Sequence, residues 1–114
     1  MQNPLTRLPL LLAAALLVVA PAEGAAPVAD AAQTVRLEHF MFAPTTLTVA
    51  AGTTVRWQNL DGEPHTVVSV EGLFRSGALD QGDSYSYTFK TAGRYRVVCT
   101  IHPQMVATIV VTAP

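Results

Sequence analysis

Four side chains in this sequence could share one metal ion. Cys99, His102 and Met105 follow one another at intervals of three in Cys99-Thr100-Ile101-His102-Pro103-Gln104-Met105, and His65 stands far upstream in Pro64-His65-Thr66. A thiolate, two imidazoles and a weaker axial thioether form a donor set that suits copper, because soft sulfur favours Cu(I) while imidazole accommodates Cu(II). Taken singly, His65 reads as a turn histidine, Met105 as a core filler and Cys99 as a small buried apolar residue. Together, in a chain with one cysteine and three histidines, they read as ligands. Zinc could substitute at such a site, but it has no redox chemistry and rarely takes methionine. Gln104 is a minor rival to Met105 for the axial position. His39 and Met41 fall in the first expected strand and read as packing or surface residues.

Ligands this far apart in sequence need a scaffold. From Thr34 onward short β-rich segments alternate with Gly, Pro and Asp, with no heptad and no long amphipathic helix. Strands are expected at 34–40, 45–49, 53–59, 65–70, 84–89, 94–100 and 106–112, with a turn at Ala51-Gly52. Residues 71–83 read as a loop with one helical turn at most. The class is all-β, a two-sheet sandwich or barrel of about seven to eight strands. Alternation puts Tyr95, Val97 and Cys99 on the core side. A two-residue loop returns His102 to the metal, and Met105 closes the loop. His65 is expected to start a strand on the other side of the sandwich and to reach the ion once the sheets have packed.

The N-terminal stretch is of another kind. Arg7 precedes an apolar run from Leu8 to Ala20 that ends in Ala20-Pro21-Ala22. A spanning helix needs roughly 20 apolar residues, so the run reads as an export signal over 1–22, with cleavage after Ala22 or Ala26. An uncleaved anchor is the alternative. Residues 23–33 read as a flexible Ala-rich leader, leaving a domain at 34–114 that is large enough to fold without disulfides or metal. An exported chain normally uses cysteines in pairs, so the lone Cys99 calls for a chemical role. The formal net charge of −1, with its lysines and arginines scattered singly, disfavours nucleic acid as a partner.

These residues resemble the cupredoxins, type 1 blue copper proteins, and within them the amicyanin and pseudoazurin group. The resemblance spans nearly all of Thr34 to Val111. Pro64-His65 is similar to the family's first histidine ligand, and Cys99, His102 and Met105 match its Cys-x-x-His-x-x-Met loop. Trp57-Gln58-Asn59 and Ala92-Gly93-Arg94-Tyr95 sit where the family has a core strand residue and a Gly-x-Tyr strand start. The resemblance implies a Greek-key sandwich, one type 1 copper ion and electron transfer in the periplasm. Several positions depart from it. Ile101 replaces a usual proline and restores an N–H near the Cys99 sulfur, beside one expected from Thr66. Thr66 replaces a usual asparagine, Ala107 a usual glycine, and Gln104 makes the surface beside His102 more polar.

The reading that results is a periplasmic one-electron carrier, not an enzyme. An oxidase or nitrite reductase would need more histidines than His39, His65 and His102, and a binuclear centre would need a second cysteine. Redox proteins would dock near His102, where Pro64, Ile101 and Pro103 could form an apolar rim. The mature protein would be a monomer without membrane attachment. Copper storage or delivery stays open, since the same ligands could hold Cu(I) without cycling.

Overall fold

The computed structural model describes residues 13–15 and 33–114. The expected export signal at 1–22 and leader at 23–33 therefore lie almost wholly outside the described residues. The described elements are eight strands: β1 (Gln33–Glu38), β2 (Met41–Ala43), β3 (Thr46–Ala50), β4 (Thr53–Asn59), β5 (Val68–Ser69), β6 (Ser84–Phe89), β7 (Gly93–Val98) and β8 (Val106–Thr112). They form two four-stranded sheets, ordered β2-β1-β4-β6 and β3-β8-β7-β5. β1 runs parallel to β4 and β3 parallel to β8, while the other pairs are antiparallel.

Period-two alternation decides which side chains meet between the sheets. In β4, Thr53, Val55, Trp57 and Asn59 are buried, and in β8 it is Ala107, Ile109 and Val111. Val35, Leu37 and Phe42 complete the inner face of the first sheet, and Val49, Val97 and Cys99 that of the second. Each fully buried aliphatic or phenyl side chain of this kind contributes about 1.5–3 kcal/mol. Trp57 packs against Phe74, Tyr85 and Phe89, at ring centroid separations of 5.5, 6.3 and 6.2 Å. Away from the ligands the sheets are laced by Ala51 N–H to the Thr112 carbonyl and Gly52 N–H to the Phe89 carbonyl. Gly52 has φ 94° there, a conformation open to glycine and costly for other residues. Tyr95 donates its hydroxyl to the Thr91 carbonyl at 2.6 Å, a tyrosine-corner contact across the start of β7.

Three local expectations are corrected. The first strand stops at Glu38, because His39 and Phe40 both take positive φ, 57° and 58°. That pair is the two-residue hairpin turn joining β1 to β2, the type that most often uses Asn-Gly. The segment expected as one strand over 65–70 is regular only at Val68–Ser69, with an isolated bridge from His65 to Leu79. Because β5 pairs with β7, His65 leads into the sheet that carries Cys99 and not the opposite one. Residues 71–83 contain turns and two isolated bridges, with no helical turn.

Asn59, the last residue of β4, organises the end of the sandwich that holds the candidate ligands. It is fully buried, and its Nδ2 donates to the carbonyls of Glu63 and Leu79, both at 2.8 Å. Its Oδ1 accepts the Asp61 N–H at 2.9 Å, while its backbone bonds Gly82 and Asp83. One amide thus ties the loops 60–66 and 79–83 to the core. Asn59→Ala would leave the Glu63 carbonyl and the Asp61 N–H without partners and take one of two donors from the Leu79 carbonyl, so it should lower stability by about 2–4 kcal/mol. Urea unfolding of the metal-free variant checks this, and a loss well under 1 kcal/mol on the order of a surface substitution would refute the organising role.

Candidate metal centre

Cys99 follows the last residue of β7 and keeps that strand's inward phase, so its side chain is buried. The chain then turns through 100–104 and closes on itself. Met105 N–H bonds the His102 carbonyl at 2.9 Å, and Cys99 N–H bonds the Met105 carbonyl at 3.1 Å. His65 arrives from the segment before β5. Continuing the β5–β7 register places Thr66 opposite Thr100, and the side chains bear this out. Thr66 Oγ1 lies 2.8 Å from Thr100 Oγ1 and also accepts the Thr100 N–H at 2.8 Å. Thr66, in place of the usual asparagine, thus ties the His65 segment to the Cys99 loop.

These contacts bring His65, Cys99 and His102 together, with one donor atom from each lying within 4.8 Å of the others. The two Nδ1 atoms are 3.1 Å apart, and each is 3.9 Å from Cys99 Sγ. The point equidistant from the corners of that triangle lies about 2.1 Å from each, against bonds of about 2.0–2.1 Å from a metal to imidazole and about 2.3 Å to thiolate. The three groups therefore fit a metal ion. Met105 is buried at the base of the same loop. His39 stands outside the cluster, and His39, Met41 and Gln104 are all exposed.

Electrostatics prepare the cluster for a cation. His65 Nε2 lies 2.8 Å from Asp61 Oδ2. An imidazole that donates its Nε2–H to a carboxylate presents the lone pair of Nδ1, which here points at the other two donors. Burial works against charge on the Cys99 thiol. The N–H of Thr66, the backbone and ring of His102 and the N–H of Ile101 outweigh it, so the thiol titrates below its ordinary value. Thr66 N–H approaches the sulfur at 3.4 Å and Thr66 Oγ1 at 3.8 Å. Ile101 supplies the smallest of these effects, in the direction expected from its N–H. Three electron-rich donor atoms held this close repel one another unless a proton or metal cation sits among them.

Three residues of the site were not singled out by sequence reasoning. Asp61 lies in the bend that precedes His65. Its carboxylate holds His65 and also accepts the N–H groups of His39 and Phe40, at 2.8 and 2.9 Å. Burial raises its pKa, but the Phe40 N–H, His65 and the His39 N–H together bring it below the ordinary carboxylate value. The turn so pinned sets the Phe40 ring edge-on to both imidazoles, at 5.5 Å from His65 and 5.0 Å from His102. Glu63 places Oε2 3.6 Å from His102 Nε2. The spacing of four between Asp61 and His65 was the one available signal, and it is indistinguishable from an ordinary Asp-Gly turn.

Comparison with known proteins agrees with this architecture. A family model described as a cupredoxin-like domain matches residues 9–111. Amicyanin of Paracoccus denitrificans is 38% identical over 92 residues, covering 76% of this chain and 70% of its own. Plastocyanin of Scenedesmus fuscus is 38% identical over 73 residues, which are 54% of this chain and 74% of the relative. A solved amicyanin variant in its Cu(I) form superposes with a TM-score of 0.69 at 34% identity, covering 75% of this chain and 87% of that one. With two sheets of this topology and a histidine, cysteine and histidine converging at one end of them, the chain belongs to the cupredoxin-like family.

Proposed function

We propose that the chain is an exported copper protein that carries single electrons between redox partners. His65, Cys99 and His102 would hold one copper ion, with Met105 as a weaker donor. The observation that carries this reading is the convergence of one sulfur and two imidazole nitrogens within 4.8 Å, on a cupredoxin scaffold. Bound copper supplies a one-electron change between +1 and +2, with thiolate suiting the lower state and imidazole the upper. Every other step belongs to the protein. Asp61 fixes the orientation of His65, Thr66 donates to the sulfur and locks the Thr100 backbone, and the fully buried His65 keeps water from that side. Ligands held this firmly limit rearrangement when the charge of the ion changes.

His102 is the one of the three cluster donors that is not fully buried, with 19% of its side chain exposed. Electron exchange therefore takes place on its face, where redox proteins dock on a monomer. Copper storage or delivery would use the same donors but calls for ligands that release the ion. The buried, doubly bonded His65 favours the carrier. Catalysis at copper would call for a further metal centre, and the chain has only His39 beyond its two candidate ligand histidines. Residues 1–22 act as an export signal and 23–33 as a leader to the domain at 34–114, and the lone cysteine fits a periplasmic location where unpaired thiols need a purpose.

Titrating the protein with Cu(II) should show one equivalent bound, with an intense visible thiolate-to-copper band and reversible one-electron voltammetry. Cys99→Ser should abolish the band. Failure to take up stoichiometric copper, or tight Cu(I) binding with irreversible oxidation, would overturn the carrier reading. Asp61→Ala should weaken copper binding by about 10–100-fold, as loss of a carboxylate behind a ligating histidine does elsewhere. A competition titration reads that change. Ile101→Pro removes one donor that stabilises the electron-rich sulfur, so the potential should fall by tens of millivolts, roughly the worth of one weak hydrogen bond. An unchanged voltammogram would show that this N–H has no hold on the thiolate.

A further inference from the structure

The end of the sandwich around His102 combines an apolar centre with a one-signed rim. Phe40, Leu60 and Ile101 are 40%, 38% and 45% exposed, and Pro64 and Pro103 are exposed as well. Phe40 stands against the His102 ring, and the exposed Ile101 and Pro103 flank His102 in the chain.

The loops that build this end, 39–40, 60–66, 79–83 and 100–104, contain Asp61, Glu63, Asp80 and Asp83 but no lysine or arginine. Glu38, at the end of β1, adds a fifth carboxylate, which pairs with Arg36 at 3.4 Å. Hydrogen bonds join these loops into one surface. Asn59 bonds both 60–66 and 79–83, Gln81 Nε2 donates to the Leu60 carbonyl at 3.3 Å, and Glu63 reaches His102. At the opposite end, loops 51–52 and 90–92 carry Lys90 and no carboxylate, and Arg94 follows in β7. Over residues 33–114 the chain has six side-chain carboxylates and six lysines or arginines, so the surface is polarised along the sandwich and not charged in excess.

From this juxtaposition we infer that the His102 face docks a redox protein presenting lysines or arginines around an apolar contact. The inference rests on the electron-carrier reading and names the class of partner. An apolar centre loses little on desolvation and brings the two redox groups close. A rim of one sign orients the approach and raises the association rate of a cationic partner, while an acidic surface is repelled. Glu63 and Asp80, both exposed, sit where a partner's lysine could reach them.

A cytochrome c with a lysine-ringed haem edge serves as the probe, and hexacyanoferrate(III), a trianion, as its counterpart. Each takes one electron from the Cu(I) protein, leaving Cu(II) and the reduced reagent. The rate constant with cytochrome c should fall at least about tenfold between low and physiological ionic strength, while that with hexacyanoferrate should rise. Glu63→Lys with Asp80→Lys should flatten or invert both trends, whereas Lys90→Glu should leave them nearly unchanged. Independently of electron transfer, cytochrome c added to the ¹⁵N-labelled zinc-loaded protein at low salt should shift the amides of 40, 60–63 and 101–104 and spare 51–52 and 90–92. Exchange with hexacyanoferrate but a cytochrome rate indifferent to salt, or shifts spread over both ends, would overturn the inference alone. Absence of exchange with either reagent would overturn the carrier reading and this inference with it.

Discussion

A buried sulfur that must carry negative charge is the constraint on which the rest of the site depends. An isolated anion in a protein interior is costly, and among the described residues the polar groups against the Cys99 sulfur are those of Thr66 and the two histidine rings, with no lysine or arginine. The compensation is made with dipoles. The Thr66 N–H approaches the sulfur because the β5–β7 register sets residue 66 beside residue 100, and that register rests on two paired residues. The Thr66 and Thr100 hydroxyls lock the two segments further. A slip of one residue in so short a strand would turn Thr66 and His65 to the wrong faces and leave the thiolate without its nearest donor.

The second histidine-bearing segment answers to a different polar web. Asn59 closes β4 and holds loops 60–66 and 79–83 through both ends of its amide, and Asp61 carries the order outward to His65 and to the His39–Phe40 turn. Two consecutive non-glycine residues with positive φ cost on the order of 1–2 kcal/mol each. The carboxylate that accepts both their N–H groups offsets part of that cost. Strain in the turn and order at the ligand are thus coupled through one side chain, which explains why an aromatic residue can stand where hairpins usually have glycine.

Legibility in the sequence followed the type of interaction. β4 and β8 lie at the residues their alternation implies, because one face of each packs in the core and one does not. The candidate donors Cys99 and His102 were equally plain, since their spacing is local and their residue types are rare in this chain. What escaped was held by contacts that leave no period. β1 was read two residues too long because a turn stabilised by Asp61, 22 residues away from His39, overrides the strand preference of Phe40. The side of the sandwich from which His65 arrives depends on which edge β5 joins, and hydrophobic pattern is silent about that choice. Asp61 and Phe40 act through geometry at a distance, so neither could be separated from an ordinary turn residue or strand residue beforehand.

The two histidines are held unequally, and the inequality bears on function. His65 is fully buried, fixed at Nε2 by Asp61 and packed under Phe40. His102 sits on a short loop, with 19% of its side chain exposed and the exposed Glu63 carboxylate 3.6 Å from its Nε2. Deeper placement of both rings would shield the ion but lengthen the route to any partner. Looser placement of both would let the donors rearrange with each change of charge. One buried candidate ligand fixed by Asp61, and one at the surface on a loop closed by Met105, meet both demands with the fewest groups. The same division leaves the exposed rim positions Glu63 and Asp80, unlike Asp61, free to vary in charge, because the core that sets the donor distances lies behind Asn59 and Trp57.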